Sequence, residues 1–292
     1  TLYEVGHGPR ATLHGGVHIQ QHIYPNDIHT MQYTIQAPSL IDTTINLPAS
    51  KSICNRALII QALAGSTMLP ANLSDCDDTR VMAAALRDMP EVIDIGAAGT
   101  AMRFLTAYLS VGTGTHTLTG TERMRQRPIG VLVDALRQLG AHIEYLGTEG
   151  FPPLRVTGRP LAGGALEVAG DVSSQYISAL LMIGPMLRQG LTLKLTGDIV
   201  SRPYIDLTLW TMTGFGAQVE WSDVDTISVA PVPYRATTYA VENDWSAASY
   251  WYEVVALLNK PEARVVLPGL SDGSRQGDSV TRYIGSLMGV KT

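Results

Sequence analysis

Cysteine is nearly absent from these 292 residues, where only Cys54 and Cys76 occur. Two thiols without metal-ligand spacing exclude a disulfide framework and a cysteine-built zinc site, and they fit a reducing compartment. Aromatic residues are scarce as well, at 7%, so the core must be aliphatic, and 28 glycines supply many turns. Neither sign of charge dominates. A formal net charge of −5 gives no broad positive field for nucleic acid or for an anionic membrane. No apolar run reaches membrane-spanning length, and no charged-then-apolar segment opens the chain as a signal peptide would. GxxxxGK(S/T), GxSxG and HExxH are all missing, which removes the signatures of P-loop hydrolysis, serine esterase and zincin chemistry.

What is there describes a soluble globular protein, 45% hydrophobic and 16% charged, long enough for two domains. Its first 30 residues differ in texture from the rest. They hold five of the seven histidines (His7, His14, His18, His22 and His29) and show neither helical nor alternating periodicity. His14 and His18 are separated by Gly15 and Gly16, and no histidine pair has helix spacing beside a carboxylate, so the cluster reads poorly as a metal site. We read residues 1–30 as an extension outside the fold, with Met31 as the natural start and a strand over residues 31–38.

The remainder repeats one order of parts three times. The first copy has a helix opening at Gly99-Thr100, a strand at 115–120, Arg127-Pro128, and a helix closing at Gly140. The second opens at Ser173-Ser174-Gln175, has a strand at 191–197 and Arg202-Pro203, and closes at Gly216. The third opens at Trp245, has a strand at 265–269, and closes at Gly289. The closing glycines recur at intervals of 76 and 73 residues, which marks one supersecondary unit copied and packed. Within a copy, Leu132, Val133, Leu136 and Leu139 form one helical stripe, and Gly140 supplies the left-handed stop. Residues 141–145 and 217–221 then alternate as half-buried strands. Helix and strand thus alternate throughout, which predicts α/β units with helices covering sheets.

Polar residues crowd the starts of these helices. In Leu47-Pro48-Ala49-Ser50-Lys51-Ser52-Ile53-Cys54-Asn55-Arg56, the proline ends an extended segment, Ser50 caps a helix, and Lys51, Ser52 and Arg56 occupy its first turns. Free N–H groups, the positive helix end and two cations together make an anion site; the plainer alternative is a capped helix with two solvated cations. Ser173, Ser174 and Gln175 offer two hydroxyls and an amide, suited to phosphate or sugar hydroxyls. Gly99 lets a ligand approach the backbone. Arg103 faces either that ligand or a neighbouring carboxylate. The segment 121–128 carries Arg123, Arg125 and Arg127 at alternate positions of an extended loop, with Arg127 aimed by Pro128. Its planar fork suits carboxylate or phosphate. Ser201, Arg202 and Tyr204 hold the same place in the second copy. Asp75, Asp77 and Asp78 lack the spacing of an EF-hand and read as the N-cap of the helix that begins near Arg80.

Four of these motifs, in order over residues 31–292, resemble the 5-enolpyruvylshikimate-3-phosphate synthase family: Leu47–Arg56, Ala98-Gly99-Thr100-Ala101-Met102-Arg103, Arg123–Ile129 and Val172–Tyr176. The resemblance implies an α/β (α+β) enolpyruvyl transferase-like fold, with repeated βαβαββ units in two domains joined by two crossings. Residues 51–240 would be one complete domain of three units, and residues 31–50 and 241–292 part of the other, incomplete here. It implies transfer of the carboxyvinyl group of phosphoenolpyruvate to the 5-hydroxyl of shikimate 3-phosphate, releasing phosphate, in the pathway to chorismate. Lys51 would be catalytic and touch both substrates. Ser52, Arg56, Ser173, Ser174, Gln175, Ser201 and Tyr204 would bind shikimate 3-phosphate, with Arg202 nearby, and Gly99 and Arg127 would bind phosphoenolpyruvate. No metal or organic cofactor is implied, nor a nucleic-acid or membrane partner. The protein would be a cytoplasmic monomer.

Two departures stand out. Where many members have Asn-Ala-Gly-Thr, this sequence has Ala97-Ala98-Gly99-Thr100. Family members also continue for about another third of their length, with acidic residues given proton-transfer roles, so a truncated chain that binds phosphoshikimate weakly without turnover is the expectation. The alternatives are the sister transferase acting on UDP-N-acetylglucosamine, whose loop cysteine has no counterpart here, and a non-catalytic repeat fragment.

Overall fold

The computed structural model describes residues 12–13, 17–22, 32–36 and 38–292. It divides into two compact units. The smaller comprises described residues up to Leu47 with Ser246–Gly269 and Val280–Thr292, and the larger comprises Pro48–Trp245 with Leu270–Ser279. That last segment belongs with the larger unit for a visible reason. The Glu242 carboxylate accepts hydrogen bonds from the Ser271 N–H (2.7 Å), Ser274 Oγ (2.7 Å), Gln276 Nε2 (2.9 Å) and Trp245 Nε1 (2.9 Å).

In chain order, β1 (Thr12–Leu13), β2 (Val17–His22) and β3 (Gln32–Gln36) form an antiparallel sheet in the smaller unit, with Ile19 opposite Ile35. Of the histidines set aside with residues 1–30, His7, His14 and His29 lie outside the described residues, whereas His18 and His22 stand on β2. After β4 (Asp42–Thr44) the chain enters the larger unit through α1 (Lys51–Leu63) and α2 (Asp77–Asp88).

Two like-built sheets follow. The first takes β5 (Val92–Asp94), α3 (Gly99–Val111), β6 (Thr115–Thr119), α4 (Glu122–Arg125), α5 (Gly130–Gln138), β7 (His142–Tyr145) and β8 (Leu154–Thr157), with strand order β5-β6-β8-β7. The second takes β9 (Gly164–Ala169), α6 (Ser174–Ile183), β10 (Leu191–Thr196), α7 (Arg202–Gly214), β11 (Val219–Trp221) and β12 (Thr226–Val229), with order β9-β10-β12-β11. In each, a parallel pair crossed by a helix is extended by an antiparallel hairpin, so both are βαβαββ units. Helices α1 and α2 belong to neither. Their flanks pair only through isolated bridges, Ala49 with Asn243 and Ala71 with Ala240. Pro48 and Pro70, which have no N–H to donate, stand beside both bridged alanines and keep these flanks from extending into strands. The chain finishes with α8 (Trp245–Leu258), β13 (Arg264–Val266), parallel to β4, and α9 (Thr281–Leu287).

Helices α1, α3, α6 and α7 pack on one another in the larger unit. Nearly every residue of α3 and α6 is buried, as expected of interior helices that are apolar all round. Their few hydroxyls stay satisfied by bonding back along the helix, Thr106 to the Met102 carbonyl (2.7 Å) and Ser110 to that of Thr106 (2.8 Å). Gly140, Gly216 and Gly289 all adopt positive φ (100°, 85° and 85°), the left-handed stops that the repeat needs.

Candidate active site at the starts of four helices

Ser50 takes the N-cap position of α1, yet its side chain makes no capping bond. The first-turn N–H groups of α1 are therefore not answered by that hydroxyl. Lys51 emerges half-exposed, with Nζ 4.0 Å from the Asp78 carboxylate at the start of α2. The Asp75–Asp78 cluster was expected to cap that helix. Instead Cys76 holds the cap position, and Asp77 and Asp78 fall inside the first turn, where their charges complement the helix dipole. Cys76 Sγ lies 3.3 Å from Thr79 Oγ1, and Thr79 in turn donates to Asn55 Oδ1 (3.0 Å), tying α2 to α1.

Arg56 points inward and is only 3% exposed. Nε donates to Thr208 Oγ1 (2.7 Å), Nη1 to the Ser52 carbonyl (2.9 Å), and Nη2 to Ser178 Oγ (3.0 Å) and the Tyr204 carbonyl (3.3 Å). Its guanidinium also lies 5.5 Å from the Phe104 ring centroid. Burial pulls its pKa down to about 10. None of these partners is anionic, so Arg56 is a buried cation that stitches α1 to α6 and α7.

Gly99 opens α3, and a side chain there is excluded by a neighbour: a Cβ would overlap the Arg127 guanidinium. Arg127 thus lies flat against the first residue of a thirteen-residue helix. Arg103, 4% exposed, was expected to face a ligand or a carboxylate; it meets no carboxylate and turns to backbone carbonyls. Nη1 donates to the Gly99 carbonyl (3.0 Å) and Nη2 to that of Pro128 (3.1 Å), while the Tyr176 hydroxyl donates to the same Pro128 carbonyl (2.6 Å). Two donors from two helices therefore fix the backbone directly after Arg127. Burial first, then the like charge of Arg103, lowers the pKa of Arg127.

The arginine segment is not extended. Thr121 accepts from the Met124 N–H (3.3 Å) and caps the short α4. This cap was legible in principle, as a threonine three residues ahead of an apolar anchor. The helical turn sends the arginines different ways. Arg125 Nε donates to the Gly120 carbonyl (3.2 Å), whereas Arg123 and Arg127 line one open cavity of about 470 Å³ with Ala97 and Met124.

At the start of α6, Ser173 caps with its own hydroxyl (3.4 Å from the Gln175 N), and Gln175 Nε2 donates to Thr100 Oγ1 (3.2 Å), joining α6 to α3. At the start of α7, Tyr204 is exposed while its carbonyl holds Arg56. Arg202 turns away: its guanidinium sits 4.0 Å from the centroid of Trp221 and donates to the Val224 carbonyl (3.2 Å). The indole face is a cation site that the local motif does not reveal. Direct contacts thus join Lys51 to Asp78, Gly99 to Arg127, Thr100 to Gln175, and Arg56 to Ser52 and Tyr204. The side chains of Ser174 and Ser201 make no hydrogen bond among the described residues. Among those residues no group of three or more His, Cys, Asp or Glu is placed to hold a metal ion, and no helix is long and apolar enough to cross a membrane.

Comparison with known proteins adds a family to this geometry. The family model described as EPSP synthase (3-phosphoshikimate 1-carboxyvinyltransferase) matches residues 35–95 and 88–292. A 3-phosphoshikimate 1-carboxyvinyltransferase of Bacteroides fragilis is 61% identical over 262 residues, covering 90% of this chain and 63% of that protein. One from Shewanella halifaxensis is 40% identical over 275 residues, covering 85% of this chain and 64% of its own length. The chain therefore spans under two thirds of the relatives it matches. EPSP synthase from Acinetobacter baumannii superposes with a TM-score of 0.69 at 23% identity, over 79% of this chain and 56% of that one, and so shares the two-domain enolpyruvyl transferase-like fold.

Proposed function

Because this chain belongs to the EPSP synthase family, we propose that it binds shikimate 3-phosphate and phosphoenolpyruvate for carboxyvinyl transfer in the shikimate pathway. In that reaction a C–O bond forms between the 5-hydroxyl oxygen and C2 of phosphoenolpyruvate. The C2–O bond to phosphate breaks, and the hydroxyl proton leaves with the phosphate. Lys51 is the catalytic cation that reaches both substrates. Ser52, Arg56, Ser173, Ser174, Gln175, Ser201 and Tyr204 hold shikimate 3-phosphate, and Gly99 and Arg127 hold phosphoenolpyruvate. Arg56 acts from beneath, its buried charge drawing an anion towards the start of α1.

The observation that carries this reading is the Arg127 guanidinium lying on Gly99 at the N-terminus of α3. A fixed cation and a helix dipole aimed at one point favour charge that develops on a departing phosphate. The free thiols Cys54 and Cys76 support a reducing, cytoplasmic setting, and we propose a monomer. Residues 51–240 serve as one whole domain of the family's pair, and residues 31–50 and 241–292 as part of the other.

Calorimetry with each substrate tests the assignment on wild type, Lys51→Ala and Arg127→Ala. Saturable heat is expected from wild type, loss of both ligands from Lys51→Ala, and preferential loss of phosphoenolpyruvate from Arg127→Ala. Equal heats from all three proteins would refute it.

A further inference from the structure

The cavity beside α3 has an unusual wall. Ala97 and Met124 are apolar, so the groups able to recognise a polar ligand there are the guanidiniums of Arg123 and Arg127. Its volume of about 470 Å³ suits a small molecule. Arg80, Arg87, Arg137 and Arg155 each sit within 4 Å of a carboxylate. The side chains of Arg123 and Arg127 make no such pair and no hydrogen bond among the described residues.

Their placement is nonetheless specific. Met124, 1% exposed, pins α4 through its side chain, Thr121 caps it, and Arg125 is tied back to Gly120. Arg123 lies within α4 and Arg127 just beyond its Gln126 C-cap, and both line the same cavity. Arg103 and Arg123 both repel Arg127 there. The Asp78 charge opposes this repulsion but forms no ion pair with either arginine. An anion relieves the gathered charge further, and two planar forks are filled by two anionic groups.

We infer that Arg123 is a second ligand-binding cation, and that Arg123 and Arg127 together hold a small dianion carrying two separate anionic groups, one on each guanidinium. This rests on the reading of Arg127 as the phosphoenolpyruvate site and extends it to a residue that resemblance did not assign. The apolar Ala97 wall makes ligand charge the discriminating property, so a neutral polyol is rejected.

The test is titration of the 292-residue chain and its Arg123→Gln, Arg123→Lys and Arg125→Gln variants with phosphoenolpyruvate, 2-phosphoglycolate and inorganic phosphate. Arg123→Gln is expected to weaken both two-ended anions about ten-fold and inorganic phosphate about two-fold, with Arg123→Lys partly restoring binding. Arg125→Gln, which removes the same charge from the same turn, should stay within about two-fold of wild type. Binding of phosphoenolpyruvate that is indifferent to Arg123→Gln overturns the second cation and leaves the proposed function standing. Arg123-dependent binding of 2-phosphoglycolate without binding of phosphoenolpyruvate sinks the proposed substrate and keeps the second cation. Failure of wild type to bind either two-ended anion overturns the inference, as does an equal loss in Arg125→Gln, which would signify general charge attraction only.

Discussion

Replacing Arg56 by methionine separates its two roles, because the residue is both a buried cation and a packing piece. Burial lowers its pKa from the ordinary 12.5 to about 10, so keeping the guanidinium charged in the core costs on the order of 3 kcal/mol. Against that cost stand four hydrogen bonds, each worth about 1–2 kcal/mol net. The groups left behind by methionine still satisfy one another. Thr208 Oγ1 donates to the Tyr204 carbonyl (2.8 Å) and shares a hydrogen bond with Ser178 Oγ (2.8 Å), while the Ser52 carbonyl lies within α1. No polar group is orphaned, and methionine fills most of the volume. The expected loss for Arg56→Met is therefore at most about 2 kcal/mol, against about 3–5 kcal/mol for Arg56→Ala, which also opens a cavity. Binding of shikimate 3-phosphate should fall at least ten-fold in both, since the charge is gone. Urea unfolding gives the stabilities and calorimetry the binding. If Arg56→Met lost more than about 4 kcal/mol, the hydrogen bonds rather than the volume would hold the helices together, and the reasoning would fail.

Gly99→Ala should keep or slightly raise stability, by up to about 1 kcal/mol, because the backbone there is helical and only the far end of Arg127 must move. Its binding of phosphoenolpyruvate should drop about ten-fold by calorimetry; unchanged affinity would show that the displaced guanidinium is not needed. Asp78→Asn should change stability by less than about 1 kcal/mol, since the Lys51 pair is long and partly exposed, and should bind inorganic phosphate at least as tightly as wild type. Iodoacetamide at pH 8 should label Cys76, whose thiol pKa is lowered despite partial burial, mainly by Ser74 and Thr79, and should spare Cys54, which burial raises to about 11. The Cys54 shift also has a stability sign: between pH 9 and 11 the folded state holds the proton longer than the unfolded one. Its contribution is present below pH 9 and lost as pH rises through 11, so urea midpoints should fall less over that window in Cys54→Ala than in wild type.

Most helices and strands were legible because local chemistry and tertiary demand agree. Leu132, Val133 and Leu136 form the stripe that α5 buries, and Gly140 turns the chain where a left-handed residue is required. Ser173 caps α6 as its hydroxyl predicts. The site was less legible, since the partners of its charges lie far away in sequence. Nothing local distinguishes Asp78, which meets Lys51, from Asp75 or Asp77. Arg202 and Arg127 share an Arg-Pro motif, but Trp221 captures one and Gly99 leaves room for the other. Arg56 read as a cation facing an anion or solvent, because no sequence period reports that Ser178 and Thr208 meet it inside.

The stitch at Arg56 also sets an order of assembly. Its hydrogen-bond partners Ser178 and Thr208 lie 122 and 152 residues downstream. During synthesis, α1 therefore waits with a cation on an unfinished face until both repeat units have been made and have docked. Long-range closures of this kind slow folding and leave the waiting surface open to misassembly. The start of the first helix, residues 50–56, is thus among the last parts of the larger unit to mature.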